Sequence, residues 1–276
     1  TPPRADGGLE AMTNDYHIPE NYGIYPTVAD TVGPGGISRT LRNAPIFIDI
    51  AQKMEKYCPE AWLIHVTNPL SQLTRVVNKE TSIKCVGLCH NYVGTISFLS
   101  NYFNVAFKDI DAISVGVNHY TWLKNITCKG EPVENKLSLN KYLEYEAKKD
   151  EDVKSNTLDD EIEAMFEGDV LNFYLNFELF ERFGYFPVGG SSHVAENFPF
   201  YCNDPETIKR HHIRRKGVLP WRREHMEQNK QKVLDILNGK KELPELKSSR
   251  ESLSDICASL YIGKPSRKIV AMANQG

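Results

Sequence analysis

Long apolar runs are missing from this sequence. None approaches the roughly 18 consecutive apolar residues that a membrane-spanning helix needs, so no membrane partner is expected. No secretory signal is expected either. Cysteine is scarce, with six residues at 58, 85, 89, 128, 202 and 257 in a chain of 276. A disulfide-built fold carries them far more densely, so the expected setting is reducing and cytoplasmic. An excess of one charge is also lacking. The formal net charge is −3 and the pI about 6.2, which argues against nucleic acid as a partner. With 25% charged and 41% hydrophobic residues, the chain has an ordinary soluble profile. It is long enough for one large core or two smaller ones.

A glycine-rich turn following a predicted strand is absent too. Gly7-Gly8 and Gly33-Pro34-Gly35-Gly36 follow none, so neither reads as a dinucleotide fingerprint. Residues 1–36 read as irregular. An amphipathic helix is predicted from Ser38, its possible N-cap, with Ile46, Ile50 and Met54 at helical spacing and Pro59 as its stop. AWLIHVTNP (61–69) reads as a buried strand ended by an Asn-Pro turn. SQLTRVVNKE then reads as a helix, SIKCVGLC as a strand, VGTISFLSNYF as a helix, and DAISVGVNH (111–119) as a third strand. This alternation predicts an α/β fold with a Rossmann-like parallel sheet. After Trp122 a polar stretch leads into a long helical segment, DEIEAMFEGDVLNFYLNFELFERFG, with Gly184 as its C′ residue. The tail reads as charged helix. Two parts are expected: 1–122, the remaining portion of a dinucleotide-binding domain, and 123–276, a mostly helical α+β substrate and oligomerisation domain. The basic run KRHHIRRK (209–216) suits phosphate or RNA, but at this net charge a solvated helix face is the stronger reading.

In open parallel sheets, ligands bind outside the carboxyl ends of the strands. Three such ends carry polar groups here: Thr67-Asn68-Pro69, Cys89-His90-Asn91 and Asn118-His119-Tyr120. Taken alone, the Cys in GLCHNY reads as a small buried hydrophobe. Three polar ends on one edge favour a site. Cys89 and His119 lie 30 residues apart, the length of one βαβ crossover. A thiolate and an imidazole suit a divalent transition metal, and two protein ligands leave positions open for water or substrate.

NDYHIPENYGIYPTVADTVGPGG, AWLIHVTNP, GLCHNY, GVNHYTW and GYFPVGGSSHVAENFPFY, taken in that order, resemble glycoside hydrolase family 4. The likeness spans most of residues 7–203 and returns at AMANQG. Members of that family use NAD and a divalent metal, outside the two-carboxylate scheme of most glycosidases. The resemblance implies a Rossmann-like domain followed by a helical one, with the family's N-terminal strand and glycine-rich turn not found here, as in a central portion of a longer protein. It implies Cys89 and His119 as ligands of Mn2+ or another divalent ion, and Asn68 near the substrate. Thr67 and Asn68 fall at the nucleotide, with Asn118 and Arg39 beside the sugar.

The residue after the Cys separates subgroups by that likeness. His90 goes with non-phosphorylated α-glycosides and uronides rather than sugar phosphates, and as neighbour to a ligand it is given a substrate contact. Arg39 and Arg42 suit a single carboxylate, as on a uronic acid. The catalytic acid–base is sought at His193, Asp30 and Ser191. The implied chemistry is hydride removal at the sugar C3, proton removal at C2, elimination, water addition and return of the hydride. A small carbohydrate is the expected partner, and a homodimer or homotetramer the expected assembly. A malate dehydrogenase-like NAD enzyme and a non-catalytic sugar-binding remnant are the alternatives.

Overall fold

A computed structural model describes residues 8–152, 172–213, 215, 218–242 and 270–271. The chain divides into two compact units: Thr1–Lys216 with Ile269–Gly276, and Gly217–Lys268. The fold is α/β, with a small sheet containing a parallel pair, a second antiparallel sheet, and helices around them.

The first sheet grows from α1 (Gly8–His17), α2 (Gly33–Tyr57), β1 (Trp62–His65), α3 (Leu70–Glu80), β2 (Lys84–Leu88) and α4 (Asn91–Tyr102). β1 and β2 pair in parallel, with His65 beside Gly87. Helix α3 crosses between them, as the apolar periodicity predicts. Phe47, Ala51, Leu73, Val77, Ile83 and Cys85 form the core beneath, with α2 and α3 supplying one layer. The 1–36 stretch is not irregular, because α1 and the 3-10 turn Ile18–Tyr22 fold within it. Nor does α2 begin at Ser38. It begins at Gly33, with Pro34 in the first turn, where its missing N–H would have no intrahelical partner anyway.

The second sheet corrects the reading of DAISVGVNH. β3 (Ile110–Val117) does not extend the parallel sheet. It turns back through Asn118-His119 and pairs antiparallel with β4 (Tyr120–Cys128), Val117 facing Tyr120. A two-residue hairpin needs no crossover, whereas parallel strands do. Period-two apolar spacing is common to both arrangements, so the pattern could not separate them. β4 runs without a break through 122/123, pairs at one end with β5 (Glu131–Pro132), and lies beside β6 (Phe186–Pro187).

The polar stretch after Trp122 thus contains strand as well as helix. α5 (Leu139–Asp152) and α6 (Tyr174–Phe183) follow, and the first part of the long helix expected before α6 lies outside the described residues. Gly184 does close α6, with φ +72° and its N–H on the Phe180 carbonyl. Phe98, Leu123, Ile126, Phe173, Phe177 and Phe186 form the main core between α4, the hairpin and α6. Each fully buried Phe contributes on the order of 2–3 kcal/mol relative to exposure. The short α7 (Ser191–Ala195) and α8 (Pro205–Arg210) pack over the other side of α6 through Leu175, Leu179, Val194, Phe198 and Ile208. In the second unit, α9 (Val218–Leu237) is described. β7 (Val270–Ala271) adds antiparallel to β2.

Candidate active site

The parallel register brings residues 66–68 and 88–90 out on one edge of the first sheet. The backbone at the first of these ends is fixed by His65. Its buried ring accepts the Thr67 N–H at Nδ1 (3.3 Å) and meets the Thr74 hydroxyl at Nε2 (2.9 Å). Burial lowers its pKa to about 4, so the ring is neutral and able to accept at Nδ1. Beyond it, the Asn68 amide nitrogen donates to Asp30 Oδ2 (3.3 Å) and lies 3.4 Å from His119 Nε2. The His119 ring sits edge-on to that of His193, with centroids 5.1 Å apart. Four residues from four segments therefore converge: Asp30, Asn68, His119 and His193.

His119 arrives by a route the sequence did not predict. It is the second residue of the β3–β4 turn, in the left-handed region at φ +64°. A non-glycine residue there costs on the order of 1 kcal/mol or more. Its carbonyl accepts from Asn197 Nδ2 at 2.7 Å, and the same nitrogen donates to the His193 carbonyl at 3.1 Å. Asn197 was not singled out in the sequence, nor was Glu196. Glu196 Oε1 accepts three backbone N–H groups, from Thr27 (2.9 Å), Val28 (2.6 Å) and Ala29 (2.6 Å). The residue as a whole is only partly covered, but its carboxyl group lies inside. Burial outweighs the three hydrogen bonds, and with Asp30 nearby the pKa rises to about 7. The Gly33–Gly36 run serves this loop. A Cβ on Gly35 would lie 2.8 Å from the Ala29 carbonyl oxygen.

The other predicted residues are placed less centrally. Cys89 is half-buried just beyond β2, and His90 is exposed at the start of α4. Ser191 is buried, accepts the Leu175 N–H (3.0 Å) and contacts Asn172 and Asn176, none of which belongs to the converging group. Those bonds anchor α7. Arg42 is not available for a substrate carboxylate, because it pairs with Asp15 and donates to Ser38. Arg39 lies in the second turn of α2, its carbonyl accepting from Asn43. In the basic run at 209–216, Lys209, Arg210 and His212 are exposed, as a solvated face requires, but His211 and Arg215 are engaged within the protein. His211 Nδ1 meets Glu178 at 2.7 Å, while Arg215 pairs with Glu20 and stacks between Tyr16 and Tyr25.

Three polar side-chain atoms near the site are left available to a bound group. Thr67 Oγ1, Asn118 Oδ1 and Asn91 Nδ2 are buried side-chain atoms with no hydrogen-bond partner, and they flank the three predicted strand ends. Buried polar atoms seldom stay unpaired in a complete site. Among the described residues no group of three or more His, Cys, Asp or Glu is arranged to hold a metal. A thiol and an imidazole, Cys89 and His119, are the pair that the sequence offers as ligands, and catalytic metal sites keep positions open beside the protein's own. Buried Cys85 offers nothing comparable, since burial pushes its thiol up to about 12. No helix among the described residues is long and apolar enough to cross a membrane.

The fold is that of an α/β protein, and the chain belongs to glycosyl hydrolase family 4. The model of that family matches residues 5–105 and that of its C-terminal domain residues 114–276. Among its relatives are an alpha-galacturonidase of Thermoanaerobacterium saccharolyticum, 33% identical over 93% of this chain and 56% of the relative, and one of Bacillus subtilis, 32% identical over 98% and 60%. An alpha-galactosidase of Bacillus subtilis is 34% identical over 73% of the chain and 42% of that protein. The chain thus spans a little over half the length of the galacturonidases it matches. The crystal structure of lplD from Bacillus subtilis superposes with a TM-score of 0.73 at 30% identity, covering 93% of this chain and 58% of that one. A 6-phospho-alpha-glucosidase from gut microorganisms, solved with NAD and Mn2+, shares the fold, with a TM-score of 0.64 at 18% identity over 93% of this chain and 55% of that one.

Proposed function

We propose that this chain forms the sugar-facing part of a glycosidase for non-phosphorylated α-glycosides, with α-uronides preferred, that works with NAD and Mn2+. The observation that carries this reading is the convergence of Asp30, Asn68, His119 and His193 beside the partnerless atoms Thr67 Oγ1, Asn91 Nδ2 and Asn118 Oδ1. Relatives described as alpha-galacturonidases support the uronide preference. When bound, NAD supplies a hydride acceptor and donor, and the divalent ion draws charge from the sugar oxygens beside it.

In this reading Cys89 and His119 hold the ion, and Thr67 and Asn68 meet the nucleotide at the end of β1. Asn68 keeps Asp30 and His119 in register through its amide. Asp30 and His193 are the groups placed to move a proton, one on each side of the Asn68–His119 pair. Asn118, His90 and Arg39 are the sugar contacts, with Arg39 as the cation for a uronate. No step is assigned to Ser191. A small carbohydrate is the partner, and a homo-oligomer the assembly.

The test is a panel of p-nitrophenyl α-galacturonide, α-glucuronide, α-glucoside, α-galactoside and a 6-phosphoglucoside, assayed with NAD, Mn2+ and reductant. The galacturonide or glucuronide should turn over fastest. Preference for the phosphorylated sugar overturns the substrate class. Full activity in a preparation stripped of nucleotide overturns the NAD assignment.

A further inference from the structure

We propose that Glu196 and Asn197 are positioning residues that assemble the site from three chain segments far apart in sequence. For its effect on metal binding, this rests on the reading of His119 given above. Two consecutive side chains just past the end of α7 reach different segments. Glu196 reaches residues 167 to 169 positions away and gathers the amides of Thr27, Val28 and Ala29 on a single oxygen. The next residue in that loop is Asp30, whose carboxylate meets Asn68. Asn197 reaches 78 positions back to the His119 carbonyl and, within its own turn, to the carbonyl of His193. The two side chains thereby set Asp30, His119 and His193 against one another through backbone groups of the segments that carry them.

The base they stand on is rigid. Val194 and Ala195 are buried, Ser191 is bonded to the start of α6, and Asn176 Nδ2 donates to the carbonyls of Pro187 (2.8 Å) and Gly189 (2.7 Å). A second tie runs beside Glu196, from the Thr27 hydroxyl to the Ser192 carbonyl at 2.5 Å. Three N–H donors on one carboxylate oxygen form an anchor that a neutral amide oxygen can reproduce and a methyl cannot. Asn197 works the other way round. Its amide donates twice, so a carboxylate of the same shape would set negative oxygen against two carbonyls. The left-handed turn at His119 is the element most dependent on this support, since its backbone is unfavourable on its own.

The experiment uses the whole chain and four variants: Glu196→Ala, Glu196→Gln, Asn197→Asp and Asn197→Ala. Amide hydrogen exchange of Thr27, Val28 and Ala29 reads the Glu196 anchor, with Leu123 and Ile126 as core references. Glu196→Ala should speed exchange at 27–29 at least about 10-fold with the references unchanged, and Glu196→Gln should retain protection. Calorimetric titration with Mn2+ reads the Asn197 anchor. Asn197→Asp should weaken binding about 10- to 100-fold, the range for groups that orient a metal ligand, and Asn197→Ala should follow it. Unchanged exchange in Glu196→Ala, or wild-type Mn2+ affinity in both Asn197 variants, overturns the proposal. If the parent chain binds no Mn2+, the metal reading falls, and the imidazole NMR signals decide the rest. Both Asn197 variants should then shift His119 and His193 and leave His65 in place. Unshifted signals overturn the positioning role.

Discussion

The two walls of the site are built on different principles. The Asn68 wall is a strand end, and its backbone follows from the sheet beneath it: β1 lies beside β2, α3 covers both, and His65 holds the Thr67 N–H from within the core. The His119 wall is a hairpin tip in an unfavourable backbone conformation, held from outside by Asn197. The first is stabilised mainly by apolar burial; the second has an apolar base, but its tip at His119 depends on polar contacts from the residue after α7's C-cap. A wall of the first kind resists local change and fails only with the fold. A wall of the second kind can lose its geometry while the fold stays intact.

The sharpest way to break that comparison is at the two residues proposed to hold the ion. Cys89→Ser and His119→Ala should each lower Mn2+ affinity and turnover by more than about 100-fold, beyond the loss expected for groups that merely orient a ligand. Urea unfolding should be nearly unchanged. Retained activity in chelated buffer would sink the metal assignment. In the Asn68 wall the order reverses. Leu73→Ala, at a fully buried position beneath β1 and β2, should cost about 2–5 kcal/mol in urea unfolding and reduce activity only in proportion to the unfolded fraction. A loss below about 1 kcal/mol would mean that this wall does not stand on its core.

The two buried titratable anchors sharpen the contrast through pH. His65 is held at about 4, below its ordinary 6.5. Its contribution is therefore fully present above pH 6.5 and is lost as pH falls toward 4, when the unfolded chain takes up a proton that the fold refuses. Glu196 is raised from 4.5 to about 7. Its contribution is present below pH 4.5 and is lost as pH rises through 7, because only the unfolded carboxyl ionises easily. Each amounts to roughly 3 kcal/mol, and across the shared window they oppose one another. Glu196→Gln should leave stability rising with pH between 4 and 6.5, and His65→Gln should leave it falling between 4.5 and 7. Unaltered slopes in urea unfolding at stepped pH would show that neither group is held as described. The smallest effect belongs to neither wall. Asp204 caps α8 by accepting the Thr207 N–H at 2.7 Å, and Asp204→Ala should cost about 1 kcal/mol with kcat and KM unchanged.

Much of the Asn68 wall was legible in the sequence. The turn at Asn68-Pro69, the helix from Leu70, the strand ending at Leu88 and the residues just beyond it all lie within a few positions of their signals. Propensity, apolar period and turn chemistry act over that distance, and the family resemblance rested on the same runs. The His119 wall was legible only in composition. Asn118-His119 stood out, but as the end of a parallel strand rather than a hairpin turn. His193 was singled out and does meet His119, whereas Ser191, chosen beside it, serves as an anchor for α7. Glu196 and Asn197 lay inside a quoted stretch and gave no local sign of their role.

The sequence by itself determined the family, the α/β alternation of the first hundred residues, and the residue types available for chemistry. The tertiary structure alone decided that β3 turns back on β4, that Gly35 and Gly36 make room for the backbone at Ala29 and Thr31, and that Asp30, Asn68, His119 and His193 meet. The physical reason is range. Secondary-structure signals are written in neighbours within a few positions, whereas a carboxylate that binds amides 167 to 169 residues away is placed only after both segments have packed.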